Sequence, residues 1–218
     1  MINIIVLKHT LFNLLYGATI SIQITLFALI IGIMGGTLLA LLLSYGNTFI
    51  RTLGHIYITI VRGTPMLVQI IALFYVLPSM GIMLSAFWSA TITIGCNSIA
   101  YVSQIMRTGI QAVGHGQLEA AQTLGFSTYQ IIRYIVLPQA FRTIFPALGN
   151  ECITLIKDSS LASVIGVAEL THQGSIIMSK TYDALTTYAG VGLIYLCITS
   201  IISLFLHIME QRLHYAKY

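Results

Sequence analysis

Charge is scarce in this chain. Of 218 residues only 10 are Lys or Arg and 6 are Asp or Glu, 7% in all, against about 25% in an ordinary soluble domain. That scarcity, with 57% hydrophobic residues, excludes a water-soluble globule. The apolar stretches come in blocks of roughly 20 residues or more, which excludes barrel strands and predicts membrane-spanning helices. The sequence has no Gly-x4-Gly-Lys-Ser/Thr loop, so the chain has no cradle for nucleotide phosphates and no bound cofactor is expected. The few basic residues are scattered and have no aromatic platform between them, which excludes nucleic acid. Cys96, Cys152 and Cys197 each lie in an apolar segment and read as small packing residues rather than a disulfide framework. His9, His55, His115, His172, His207 and His214 show no ligand spacing, so no metal site is expected. Nothing places a nucleophile beside a base, so the chain reads as something other than an enzyme. No cleavable leader is evident: Lys8 precedes a polar-dotted segment, and the next apolar run is too long for a signal peptide.

What is present is a single transmembrane unit over residues 1–218, with room for about five helical spans in a core of about 16–209. Span one is expected over 16–43, longer than the ~30 Å hydrocarbon layer at ~1.5 Å per residue. Its Gly32, Gly35 and Gly36 allow a neighbouring helix to come close. Span two is broken at Arg62-Gly63-Thr64-Pro65. Thr64 is expected as N-cap and Pro65 as first helical residue of a helix running to Leu77, with 56–61 as an interfacial lead-in. Spans three, four and five are expected over about 83–106, 144–167 and 188–209, with Trp88 as an interface anchor.

Positive charge sets an orientation. Arg51, Arg62, Arg107, Arg133, Arg142, Arg212 and Lys217 fall on one side, against Lys8 and Lys180 on the other and Lys157 within span four. The positive-inside bias then puts the N-terminus outside and the C-terminus in the cytosol.

Two polar features need explanation. The first is the loop of about 111–142, which carries Glu119-Ala120-Ala121, then Gly125, then Ile135, Leu137 and Pro138. A helix over 117–124 is expected to end at Gly125 in the left-handed conformation. Ser127 then caps a second helix over 128–136, which stops ahead of Pro138. Such a hairpin is either a stiff docking plug or an ordinary interfacial cover for the helix ends. The second feature is span four, with Asn150, Glu151, Lys157, Asp158, Ser159 and Ser160. Each charge near the bilayer centre costs about 2.5–3.5 kcal/mol, whereas a Leu or Ile returns about 0.3–0.6, so this helix cannot face lipid. At ~100° per residue Glu151 and Asp158 lie within about 20° of each other, and Asn150 and Lys157 form a stripe about 100° away. The charges are either an internal ion pair that fixes packing or a midplane site for a charged, polar solute. In the second case Lys157 would meet a carboxylate and Glu151 or Asp158 an ammonium, as an amino acid requires.

The loop pattern resembles the E-A-A-x3-G-x9-I-x-L-P loop of the membrane subunits of bacterial ABC importers. Further segments resemble the polar amino-acid branch of that family: Arg62-Gly-Thr-Pro-Met-Leu-Val-Gln69, Leu148-Gly-Asn-Glu151, Leu155-Ile-Lys-Asp-Ser-Ser-Leu161 and Val164-Ile-Gly-Val-Ala-Glu-Leu170. The resemblance runs from about Tyr16 onward and implies an all-α type I importer membrane fold in the bacterial cytoplasmic membrane. It implies a second permease subunit, the same or homologous, a pair of cytosolic ATPases that bind ATP, and an extracytoplasmic solute-binding protein. It implies ATPase coupling through Glu119, Ala120, Ala121 and Gly125, and solute binding near Glu151, Lys157, Asp158, Ser159 and Asn150. Glutamine-type members often carry Gln at the position of Glu151, so a second acid beside Asp158 leans towards arginine or lysine. An ion channel subunit with a charged pore lining is the alternative, but it leaves the Glu119 loop unexplained.

Overall fold

The computed structural model describes residues 4–215; Lys217, counted in the orientation argument, lies outside them. Every regular element among these residues is helical. In chain order they are α1 (Ile4–Tyr45), α2 (Thr48–Gly63), α3 (Met66–Ser79), α4 (Ala86–Gln111), α5 (His115–Thr123), α6 (Thr128–Ile131), α7 (Leu137–Asp158), α8 (Leu170–Thr181) and α9 (Ala184–Tyr215). A π-helical turn (Ile132–Val136) leads into α7, and a 3₁₀ segment (Ser159–Ile165) follows it.

The five-span layout takes the form of α1, the bent pair α2–α3, α4, α7 with its 3₁₀ extension, and α9. Among the described residues only α1 and α9 are apolar enough throughout to cross a bilayer on composition alone, over Thr10–Tyr45 and Ala184–Arg212; the α2–α3 pair qualifies if taken as one span bent by 103°. The polarity of α4 and α7 follows from their position. In α4, Ser89, Thr91, Thr93, Asn97, Ser98 and Ser103 are all buried, so their hydroxyls and amide meet protein rather than lipid. Large side chains on α1 and α9 take the opposite role: Phe12, Leu15, Leu26, Leu196, Ile201 and Phe205 are exposed, as a lipid-facing belt requires.

α1 lies along α4, and the glycines anticipated for close approach are what allow it. A Cβ at Gly36 would stand 2.7 Å from Val102 Cβ, and one at Gly32 would strike the Ser98 side chain. Around this contact Ile24 and Ala28 of α1, Ile70 of α3, Ala90 and Ile94 of α4 and Leu155 of α7 form one core with Ala162 and Ile165.

Several boundaries differ from expectation. α1 begins at Ile4 rather than near Tyr16. Residues 56–61 belong to a full helix, α2, capped by Asn47 through the Ile50 N–H at 2.9 Å. Thr64 does not cap α3; its hydroxyl donates back to the Ile60 carbonyl at 2.8 Å, and Pro65 takes the N-cap position. Span four is α-helical only to Asp158. The 3₁₀ segment then ends at Gly166, whose φ of +82° lets Gly166 and Val167 N–H close onto the Ser163 and Ala162 carbonyls.

α8 was not expected, and its start explains why. Its N-cap is Glu169, a residue with no side-chain exposure, rather than a Ser, Thr or Asn. Glu169 accepts from His172 N–H at 2.7 Å and Thr171 N–H at 2.9 Å, from Tyr195 OH at 2.9 Å and from the Ser21 hydroxyl at 3.2 Å. Four donors make a buried carboxylate tolerable, and they tie α1, α8 and α9 together.

Replacing Gly36 by Leu drives a side chain into Val102. Overpacking of this kind costs about 1–3 kcal/mol, so the purified variant is expected to melt at a clearly lower temperature than wild type; an unchanged melting point would mean that α1 and α4 are not in contact there.

Candidate solute cavity and coupling hairpin

α7 brings Glu151 and Asp158 onto one face, as their seven-residue separation demands. Both line a cavity of about 220 Å³, together with Thr154 between them, Asn97 and Tyr101 of α4 and Met66 at the start of α3. The volume falls below the ~300–1,000 Å³ usual for small-molecule sites. No basic residue lines it. Glu151 Oε1 accepts a 2.6 Å hydrogen bond from Ser98, and Ser98 is the residue against which Gly32 packs. Close approach of α1 therefore holds the donor that holds the carboxylate.

The remaining expected site residues lie elsewhere. Lys157 is exposed on the flank of α7, beside Asp158 in sequence but outside the cavity lining. Asn150 opens into a separate groove against α9 with Ser203, His207 and Glu210. Ser159 is fully buried, and its hydroxyl is spent on the Ile156 carbonyl at 2.8 Å. Asn97, Tyr101, Ser98 and Thr154 were not singled out in the sequence. Thr154 was within reach, because it stands three residues after Glu151 and four before Asp158 and so shares their face. Asn97 and Tyr101 are likewise a pair four apart, but only the fold shows that α4 turns them towards α7.

The break between α2 and α3 borders the same cavity. Arg62 places its guanidinium 5.0 Å from the centre of the Tyr101 ring, a cation–π contact. Gln69 reaches back to the break, its amide donating to the Val61 carbonyl and the Thr64 hydroxyl, each at 2.8 Å.

The hairpin between α4 and α7 is built much as its sequence suggests. α5 ends where Gly125 takes φ +82°, and the Gly125 and Phe126 N–H groups close onto the Gln122 and Ala121 carbonyls at 2.9 and 3.1 Å. Ser127 and Gln130 form a reciprocal capping box at the start of α6. A further bond from Gln139 to Gln117, 2.8 Å, ties α5 to α7. The second helix does not stop ahead of Pro138. Pro138 has no N–H to give, and the chain widens into the π turn, with Leu137 N–H bonding the Ile132 carbonyl five residues back. α6 is thus continuous with α7, and the hairpin is rigidly joined to the helix bearing the carboxylates.

Glu119, Ala120 and Gly125 are exposed and Ala121 is buried. Leu124 is 77% exposed and Tyr129 68% exposed. The hairpin thus carries exposed apolar side chains on a stiff frame.

A lipid-belted bundle with a two-carboxylate interior cavity and a stiff exposed hairpin is the architecture of a membrane transport subunit, and the family match agrees. The chain belongs to the family described as binding-protein-dependent transport system inner membrane components, whose model matches residues 28–215. It is similar to the glutamine transport system permease protein GlnP of Escherichia coli K12, 37% identical over 197 residues that cover 88% of this chain and 90% of the relative. A crystal structure of an amino acid ABC transporter with histidines superposes with a TM-score of 0.89 at 36% identity, covering 97% of this chain and 99% of the other. The fold also matches an inward-facing MetNI methionine ABC transporter, TM-score 0.72 at 18% identity, covering 93% and 95% of the two chains.

Among the described residues Ser98 is the one protein donor on Glu151. Ser98→Ala is therefore expected to lower the unfolding free energy by about 1.5–3 kcal/mol, the usual worth of a hydrogen bond to a charged group, read by thermal denaturation of the purified protein. Wild-type stability in the variant would separate the two residues.

Proposed function

We propose that this chain is the permease half of an ATP-driven importer of polar amino acids, with a preference for cationic side chains such as those of arginine and lysine. The observation that carries this reading is the cavity itself: two carboxylates line it, and the basic residue within electrostatic reach of Asp158, Lys157, stands outside the lining. Ionisable groups at membrane depth mark solute or ion pathways. The names of the relatives support an amino-acid cargo; the second acid, Glu151, supports the cationic preference.

In this reading Glu151 and Asp158 hold the side-chain cation, Asn150 and Lys157 contribute along the rest of the pathway, and Ser159, buried with its hydroxyl on the Ile156 carbonyl, serves only to fix the end of α7. Arg62, fixed over Tyr101 at the cavity rim, is a second positive partner for the substrate carboxylate beside Lys157. The hairpin at Glu119, Ala120, Ala121 and Gly125 docks a pair of cytosolic ATPase subunits, which bind ATP. The N-terminus lies outside and the C-terminus in the cytosol. A second permease subunit closes the pathway and an extracytoplasmic binding protein delivers the amino acid. Closure of the ATPases pushes the hairpin, and the push passes through the continuous α6–α7 rod, so the paired subunits alternate their access about the cavity. A channel would need no such hairpin.

Glu151→Gln keeps the shape of the side chain and removes its charge. Uptake of arginine or lysine is expected to fall about tenfold or more relative to glutamine, because a charge-assisted hydrogen bond of ~1.5–3 kcal/mol becomes a neutral one; equal losses would remove the cationic preference. Gly125→Val forces a β-branched residue into a left-handed conformation and opens the turn of the hairpin. It is expected to abolish ATP-dependent uptake while the chain still reaches the membrane; undiminished uptake would show that the hairpin carries no force.

A further inference from the structure

The lipid belt of α9 is interrupted along one strip. Leu204, Phe205 and Ile208 are exposed as the belt requires, but Ser203, His207 and Glu210 recur at steps of four and three residues and so share a face. That face looks across a groove of about 420 Å³ onto Pro146, Asn150 and Ile153 of α7. The groove is shaped where the two helices cross. Leu206, which lines it, closes on Gly149 so tightly that a Cβ there would stand 2.6 Å from Leu206 Cδ1. Among the described residues neither the Ser203 hydroxyl nor the Glu210 carboxylate has a hydrogen bond or an ion pair. Gln211 Nε2 stands 2.9 Å from His207 Nε2. An amide nitrogen only donates, so His207 Nε2 accepts and the ring proton sits on Nδ1.

The depth of these groups names their ligand. The 29 residues of α9 over Ala184–Arg212 reach ~43 Å at ~1.5 Å each, longer than the ~30 Å hydrocarbon layer. The last turns of the span, with Glu210 and His207, therefore stand among the headgroups on the hairpin side, and Ser203 lies just beneath them. From the headgroups inward the order is carboxylate, ring N–H, hydroxyl. Glu210 and His207 are ~4.5 Å apart along the axis, the separation of ammonium and phosphorus in an ethanolamine phosphodiester. Ser203, a further ~6 Å inward, meets the level of the glycerol esters. No Lys or Arg lines the groove, so it lacks the cations that hold an anionic headgroup. No Phe, Tyr or Trp lines it either, so it lacks the aromatic faces that hold choline. We infer that the α7–α9 groove binds the headgroup of an ethanolamine phospholipid. Glu210 accepts from the ammonium, His207 donates to the phosphate and Ser203 donates to an ester carbonyl. The bound lipid bridges α9 to α7 on a face outside the solute cavity, and the inference stands whichever amino acid is carried.

The test uses the complete importer in nanodiscs of phosphatidylcholine with equal minor shares of phosphatidylethanolamine and phosphatidylglycerol. Native mass spectrometry reads the lipids that the released complex retains. Wild type is expected to hold the ethanolamine lipid about threefold to tenfold above its share, and Glu210→Gln, which keeps the shape and removes the charge, to lose that enrichment. In a second arm a photo-crosslinking benzoylphenylalanine replaces Ile153, across the groove from the α9 strip, in an otherwise wild-type chain. Illumination is expected to give an adduct with the mass of phosphatidylethanolamine. Retention of either other lipid at the same enrichment overturns the inference, as does an enrichment that survives Glu210→Gln. A protein–protein adduct at Ile153 also overturns it, because a second copy or another subunit would then fill the groove. Should Glu210→Gln fail to assemble, the identity of the adduct decides alone, and any lipid other than phosphatidylethanolamine contradicts the assignment.

Discussion

Two carboxylates seven residues apart on a helix of a membrane bundle must face something other than lipid, and most of this architecture follows from that requirement. It puts α7 in the interior, and its neighbour α4 is in turn free to be polar. α4 carries six buried hydroxyl or amide residues, so both helices fall short of the apolarity that marks α1 and α9 as spans. The outer helices supply the lipid belt that the inner two cannot. α1 also supplies the tightness, since its glycines bring it close enough to hold Ser98 against Glu151.

The second determinant is rigidity along one path. The hairpin is stiffened at three points, by the Gly125 turn, the Ser127–Gln130 capping box and the Gln139–Gln117 bond. The π turn then carries the helix past Pro138 without a break. A helix that stopped at Pro138 would place a joint between the docking surface and the cavity. The continuous form places none between α6 and the cavity, and α5 joins this rod through the Gly125 turn and the Gln139–Gln117 bond. Glu169, with its four donors, does the comparable work at the other end, binding the 3₁₀ segment and α8 to α1 and α9.

Local signals were legible in the sequence where the chemistry is local. Gly125, Ser127 and the periodicity of Glu151 and Asp158 each act within a few residues, and each lies where its sequence context places it. The glycines of α1 were legible as an approach site, though not the partner they approach. What was missed depends on long-range contact. α8 lacks a Ser, Thr, Asn or Asp N-cap because its cap is the Glu169 carboxylate, two of whose donors come from Ser21 and Tyr195, 148 and 26 residues away. Thr64 looked like the start of a helix, yet its hydroxyl serves the helix before it, because Pro65 and Gln69 settle the break from the other side. Lys157 and Asn150 share α7 with the acids, but 100° of rotation puts them on other faces. Asn97 and Tyr101 become site residues only through the packing of α4 on α7.

The central claim is that the Glu151–Asp158 cavity lies on the solute pathway. Thr154, between the two acids on the same face, is the position to probe, with Cys96, Cys152 and Cys197 first replaced by alanine. In the assembled importer Thr154→Cys should react with a water-soluble cationic methanethiosulfonate, and excess arginine should protect it. A thiol at this position that never reacts, or that reacts equally with and without arginine, would contradict the account.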